Sequence, residues 1–199
     1  MVAIFKKPIF GIDNLYMSTI NVFTEATPNP ASMKFLVNKL LVNGSVDFPT
    51  KESAESSPFA TELFKFNFIN GVFFASNFVT LTKSEDSDWA DIEAILKEFV
   101  KGAVESELKI QEQAEADVVF EGTDIEKKIQ QVLYDYVRPA VEQDGGAISY
   151  RSFHEGVVTV ELRGSCSGCP SSTITLKSGI ENLLKRMVPE VSEVVSEAL

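Results

Sequence analysis

Along residues 20–82, short runs of alternating apolar and polar positions are punctuated by turn formers. Residues 20–23 and 33–37 read as strands on either side of Thr27-Pro28-Asn29-Pro30, whose two prolines fix the backbone of a turn. Asn43-Gly44 is a strong hairpin signal and predicts a return through Val46 and Phe48 to Pro49. Residues 71–74 and 78–82, separated by Ala75-Ser76-Asn77, predict a second hairpin. Two stretches switch to a helical period. Ser57 offers a capping hydroxyl ahead of Pro58 at the first helical position, after which Phe59, Leu63 and Phe66 share a face. Ser87 or Asp88 caps a longer helix through Val104, with Trp89, Ile92, Ile95, Leu96 and Phe99 as an apolar stripe toward the sheet.

The same alternation resumes beyond residue 122. Thr123 or Asp124 opens a helix with Ile125, Ile129, Val132, Leu133 and Tyr136 on its buried face, and Arg138-Pro139 ends or kinks it. Glu142-Gln143-Asp144-Gly145-Gly146 is a turn, and residues 147–153 pair with 157–162 through His154-Glu155-Gly156. A last helix runs from Ser171 or Ser172 to Met187 with Ile174, Ile180, Leu183 and Leu184 inward. Pro189 stops it, and residues 191–199 close the chain as a strand or a turn of helix.

Composition divides these elements into two cores. Thirteen of the fifteen phenylalanines precede Lys101, so the first core is aromatic and the second aliphatic. At strand and helix spacing these phenylalanines read as core rather than as a ligand site. The fold class is α+β: two small domains joined by an acidic linker. The expected boundaries are a loosely held leader at 1–16 (Met17 could serve as an alternative start), a first domain at 17–104, a linker at 105–121 and a second domain at 122–199. The linker carries six acidic groups against one basic one, and such self-repulsion favours an extended tether. Few contacts are expected to cross it, leaving the domains to move relative to each other.

The net charge of −11 argues against nucleic acid as a partner, because phosphate binding needs a basic surface. No run approaches the ~18 apolar residues of a membrane span. The first sixteen residues have neither the apolar stretch and cleavage site of a secretory signal nor the arginine and serine of a mitochondrial one, so the expected location is cytoplasmic.

Candidate chemistry is concentrated in Gly164-Ser165-Cys166-Ser167-Gly168-Cys169-Pro170-Ser171-Ser172, which holds both cysteines of the chain. A two-residue spacer lets two sulfurs turn toward one point, and thiolates select zinc, copper(I) and iron–sulfur clusters. The following helix, with Pro170 at its first position, favours thiolate over thiol through its amino-terminal partial charge. Metal centres of this kind normally need four ligands, and this chain offers two. Either a second chain completes the site or the pair does dithiol redox work. Against redox work stand the antiparallel hairpin preceding the loop, the Ser-Gly spacer and the want of a later proline opposite the pair. A zinc site lacks a second CxxC, and the sole histidine, His154, reads as a solvated turn residue. Asp144 with its glycines reads as a tight turn.

Several runs together resemble the NifU-like (Nfu-type) iron–sulfur proteins. In the second domain these are Val137-Arg138-Pro139-Ala140-Val141, Asp144-Gly145-Gly146, the cysteine loop and Thr175-Leu176-Lys177. In the first they are Thr27-Pro28-Asn29-Pro30 with Lys34-Phe35, Ser57-Pro58-Phe59-Ala60, Gly71-Val72, and Val79-Thr80-Leu81-Thr82-Lys83 followed by Trp89. Ala147 departs from the family, which tends to place a polar residue there. The resemblance implies a carrier or scaffold, not an enzyme, that holds a 4Fe–4S cluster between two chains through Cys166 and Cys169 of each. It further implies loading by iron–sulfur assembly machinery, delivery to apo iron–sulfur proteins, a homodimer in the cluster-bound state, and a partner-recognition role for the first domain, with a part in transfer as the other reading of Asp144.

Overall fold

The computed structural model describes residues 19–110, 120–166 and 170–197. The leader, the middle of the acidic linker and residues 167–169, Cys169 among them, lie outside the described residues.

The first domain is a five-stranded antiparallel sheet with helices on one face. Its strands are β1 (Val22–Ala26), β2 (Ser32–Val37), β3 (Ser45–Phe48), β4 (Ile69–Ala75) and β5 (Phe78–Lys83), in the order β1-β2-β5-β4-β3. The turn at Ser76, in the left-handed region at φ 47°, makes the predicted β4–β5 hairpin. The hairpin expected at Asn43-Gly44 does not form: β2 pairs with β1 and β5, while β3 crosses to the far edge and pairs with β4. Gly44 takes φ 82°, so the local turn chemistry is real but joins two strands that never meet.

Helix α1 (Pro58–Leu63) starts as expected, the Ser57 side chain accepting from the Ala60 N–H. Phe66 falls beyond its end and packs on the core's edge. Helix α2 (Trp89–Glu105) is capped by Asp88. It buries Ile92, Leu96, Val100, Ala103 and Val104, and Ile95 points to solvent at 53 % exposure. The stripe therefore runs closer to the helix's last turns than the one expected. Phe35, Phe59, Phe74 and Leu81 fill the layer between sheet and helices, with the Phe59 and Phe74 rings 5.1 Å apart.

The second domain begins with α3 (Asp124–Val132). Thr123 and Glu126 form a complete capping box there, each side chain reaching the other's backbone N–H. A π turn over Leu133–Val137 then leads into α4 (Arg138–Gln143). Pro139 cannot donate a helical hydrogen bond, and the wider turn ahead of it accommodates its ring without ending the helix. The extra residue rotates the pattern: Val137 is buried and Tyr136, expected inward, stands 58 % exposed. Strands β6 (Gly146–His154) and β7 (Val157–Gly164) pair as predicted, with Glu155 and Gly156 at φ 47° and 85° in the connecting turn. Helix α5 (Pro170–Met187) follows, and β8 (Glu193–Glu197) closes the sheet parallel to β7. The loop that carries the cysteines thus sits inside a β7–α5–β8 crossover. The antiparallel hairpin is only half of the local topology, so it no longer weighs against redox chemistry.

The domains also touch, contrary to the expectation of few contacts across the linker. The first sheet's second face, away from α1 and α2, rests on the β6–β7 hairpin, where Ala147 packs with Phe73, Ala75 and Phe78.

Candidate cysteine-loop site

Two turns of the second domain frame the site. The first, Asp144-Gly145, ends α4, and the second, Gly164-Ser165, ends β7; the Ser165 N–H donates to the Gly145 carbonyl at 3.2 Å. The Ser165 hydroxyl donates to the Asp144 carbonyl and lies 3.8 Å from Cys166 Sγ. Gly146 is needed for close approach, since a Cβ there would stand 2.7 Å from Cys166 Sγ and from the Arg163 carbonyl. Gly145, at φ 81°, supplies the left-handed turn. Asp144-Gly145-Gly146 therefore does more than reverse the chain: it makes the seat on which the first cysteine rests.

Cys166 is 7 % exposed and belongs to the second domain's apolar core, at the wall of a groove of about 670 Å³. Tyr136, Val137, Leu176, Ile180 and Leu183 give that groove its apolar lining, and Pro28 of the first domain is at its rim. Burial pushes the Cys166 thiol above its ordinary range; the Ser165 hydroxyl opposes this and the Asp144 carboxylate reinforces it. The helix-terminus argument predicted a lowered thiol. It fails for Cys166 because this residue lies in the turn just past the end of β7, four positions ahead of the first residue of α5, and is desolvated there. Binding a soft metal would then expel the proton, which couples loading to pH.

Of the two predicted ligands, the structure describes Cys166; Cys169 falls in the undescribed stretch before Pro170. Pro170 does occupy the first position of α5. Among the described residues no three of His, Cys, Asp and Glu gather where they could hold a metal ion. His154 is exposed, its Nε2 3.9 Å from the Glu155 carboxylate.

Sequence reasoning missed a set of side chains that reach the site from the first domain. Asn29 Nδ2 donates to the Ser165 carbonyl at 3.2 Å, Thr80 Oγ1 to the Gly145 carbonyl at 2.8 Å, and Lys34 Nζ to the Gln143 carbonyl at 3.3 Å. A signal was present. Val72-Phe73-Phe74 and Phe78-Val79 are continuous apolar runs rather than alternating ones, a mark of strands covered on both faces. Asp47 was also missed. Burial lifts its carboxyl to about 6, against the pull of Arg163, with Glu161 adding to the rise and the Gly164 and Phe48 N–H groups opposing it.

Together these features define a two-domain α+β protein with a cysteine pair in the segment between strand β7 and helix α5. The scaffold-protein Nfu/NifU amino-terminal family model matches residues 22–107, and the NifU-like domain model matches residues 129–195. The chain belongs to the Nfu/NifU family. It is 41% identical over 188 residues to NifU-like protein 5, mitochondrial, of Arabidopsis thaliana, covering 90% of this chain and 68% of that protein. It is 36% identical over 199 residues to the human NFU1 iron-sulfur cluster scaffold homolog, mitochondrial, covering 95% and 78%. It is 34% identical over 195 residues to the protein of the same name in Drosophila yakuba, covering 95% and 67%. All three relatives are named mitochondrial, which overturns the cytoplasmic expectation. That expectation rested on the composition of residues 1–16 alone.

Proposed function

We propose that this protein works in iron–sulfur cluster assembly as a carrier, not an enzyme, and that it works in mitochondria, as its relatives' names suggest. It binds a 4Fe–4S cluster between two chains, with Cys166 and Cys169 of each copy supplying four thiolates. The cluster is cargo, received from assembly machinery and passed to apo iron–sulfur proteins by ligand exchange.

The observation that carries this reading is a ligand shortage. The chain has two cysteines on one loop, and among the described residues no three of His, Cys, Asp and Glu gather where they could hold a metal ion. An isologous pairing of two copies brings one loop opposite its twin and satisfies the cluster. A site shared by two small interfaces also releases its cargo more readily than a closed four-ligand cage.

A second reading, a dithiol–disulfide redox protein, is favoured by the β7–α5–β8 crossover around the CxxC, a context that redox dithiols use. The raised Cys166 thiol counts against it, because attack requires thiolate.

Anaerobic reconstitution with iron and sulfide separates the two. A carrier turns brown, takes up about four irons per two chains and elutes as a dimer, and Cys166→Ser or Cys169→Ser abolishes uptake. A colourless monomer that cycles through a disulfide supports the redox reading. A monomer that holds a full complement of iron overturns the shared site.

A further inference from the structure

A sheet with helices on one face leaves its other face for water or for a partner. In the first domain that second face carries Lys34, Phe73, Phe78 and Thr80, and all four are buried, Phe73 and Thr80 to 1 % exposure. What covers them is the frame of the cysteine loop. Gly164 comes so near that a Cβ would stand 2.8 Å from the Phe73 ring, and one on Gly145 would stand 2.9 Å from Thr80 Oγ1.

The polar contacts share one polarity. Three first-domain side chains, Asn29, Lys34 and Thr80, donate to three second-domain backbone carbonyls, those of Ser165, Gln143 and Gly145. Two of the acceptors lie in the two turns that frame Cys166, one of them on the residue directly before it, and the third ends α4 just ahead of the first turn. Backbone carbonyls at fixed positions are met only when both turns hold the conformation seen here, so the contact reads the shape of the loop's frame. Pro28, next to Asn29, extends the cover to the rim of the groove beside Cys166.

We propose that the first domain is a built-in cap on the cysteine loop: Asn29, Thr80 and Phe73 hold the two turns around Cys166 closed, and a second copy reaches the loop only when this contact opens. The sheet face and a second copy compete for the turns around Cys166. This rests on the reading of Cys166 as a ligand shared with a second chain. The cap gives the first domain a task inside its own chain: it keeps the unloaded thiol in the core, away from oxidants and stray metal, until a loading partner draws the domains apart.

The test uses the reduced, full-length apo protein and a neutral alkylating agent, with the rate at Cys166 read by peptide mass mapping. Asn29→Ala with Thr80→Val removes two of the three donors and leaves the first domain's core untouched. Phe73→Asp is a harsher variant on the same face. Alkylation of Cys166 is expected to speed up about tenfold in the double variant and more in Phe73→Asp. Hydrogen exchange across residues 143–146 should rise in parallel, while α2 keeps its protection. Iron and sulfide uptake, followed in the same samples, is expected to speed up in the same order.

A Cys166 rate unchanged in variants whose 143–146 segment exchanges faster would overturn the cap. Faster alkylation with unchanged uptake would also overturn it, since opening would then not limit loading. If no form takes up iron, the carrier reading fails and with it the shared-ligand premise, while the alkylation rates still report whether the thiol is covered.

Discussion

Thr80, in the middle of the first domain's sheet, donates its hydroxyl to the carbonyl of Gly145 in the second domain, 65 residues away, at 2.8 Å. Thr80 is buried, and Gly145 is the left-handed residue that seats the cysteine loop. One hydrogen bond therefore joins the central strand of one domain's sheet to the turn beside Cys166 in the other.

Thr80→Val tests the worth of that bond with almost no change of shape. The Gly145 carbonyl keeps the Ser165 N–H as a donor, so the loss is one neutral hydrogen bond, about 1 kcal/mol. Urea unfolding should show the midpoint lowered accordingly. The loss should fall on the contact between the domains, so exchange is expected to rise at residues 143–146 and 164–166 and to stay unchanged in β1 and α2.

Two glycines predict opposite outcomes for the same substitution. Gly164 has φ 69°, and an added Cβ would meet the Gly145 carbonyl and the Phe73 ring at 2.8 Å. Gly164→Ala is expected to destabilise by about 2 kcal/mol or more, through backbone strain together with overpacking. Gly102, inside α2, has nothing within 4 Å of the Cβ position. Gly102→Ala is expected to stabilise by about 0.5–1 kcal/mol, because alanine gives up less backbone freedom on folding. Melting curves of the two variants should move to opposite sides of the parent, by about 2–4 °C per kcal/mol for a chain of this size.

What could be read from the sequence was mostly local. Ser57-Pro58, Asp88 and Thr123 each mark a helix start because a capping oxygen and its backbone N–H partner lie within three residues of each other. The β4–β5 and β6–β7 hairpins were legible for the same reason. Strand order was not, since the pairing of β2 with β5 rather than β3 is decided by which apolar faces share a core, a property of the assembled sheet. The π turn at Leu133–Val137 hides from a 3.6-residue period, and Tyr136 was placed inward on that account. At the site, the two cysteines were visible from spacing. The side chains that cover their loop were not, because Asn29 and Thr80 are ordinary turn and strand residues until the second domain sets carbonyls before them.

The capping box of α3 makes a separable prediction far from the loop. Thr123 Oγ1 accepts from the Glu126 N–H at 3.3 Å, and Glu126 accepts from both the Thr123 N–H and the Tyr150 hydroxyl. Thr123→Ala removes the cap and should cost about 1 kcal/mol. Glu126→Gln keeps an acceptor and should cost less. Because α3 packs in the second core, denaturant unfolding followed by exchange should show the loss in α3 and β6, with iron uptake per chain unchanged.

The contact between the domains should also depend on pH, through Asp47. This residue lies on β3, where burial raises its carboxyl from 3.8 to about 6. Arg163 and Glu161 on β7 face it, and Glu161 is itself paired with Arg151 at 2.7 Å. A carboxyl raised in the folded protein stabilises the fold when protonated. The benefit is complete below 3.8 and is lost as pH rises through about 6. A rise of about two units corresponds to about 3 kcal/mol as an upper bound. The parent protein should therefore lose stability between pH 4 and 6 in urea titrations, over and above the drift from its other carboxylates. Asp47→Asn, neutral at every pH and still able to accept from the Gly164 N–H, should remove this component and leave the protein more stable than the parent at pH 8. Cys166 alkylation at pH 8 should slow in the same variant, since a firmer contact keeps the loop covered. An Asp47→Asn protein with the parent's slope between pH 4 and 6 would show that this carboxyl does not govern the joint.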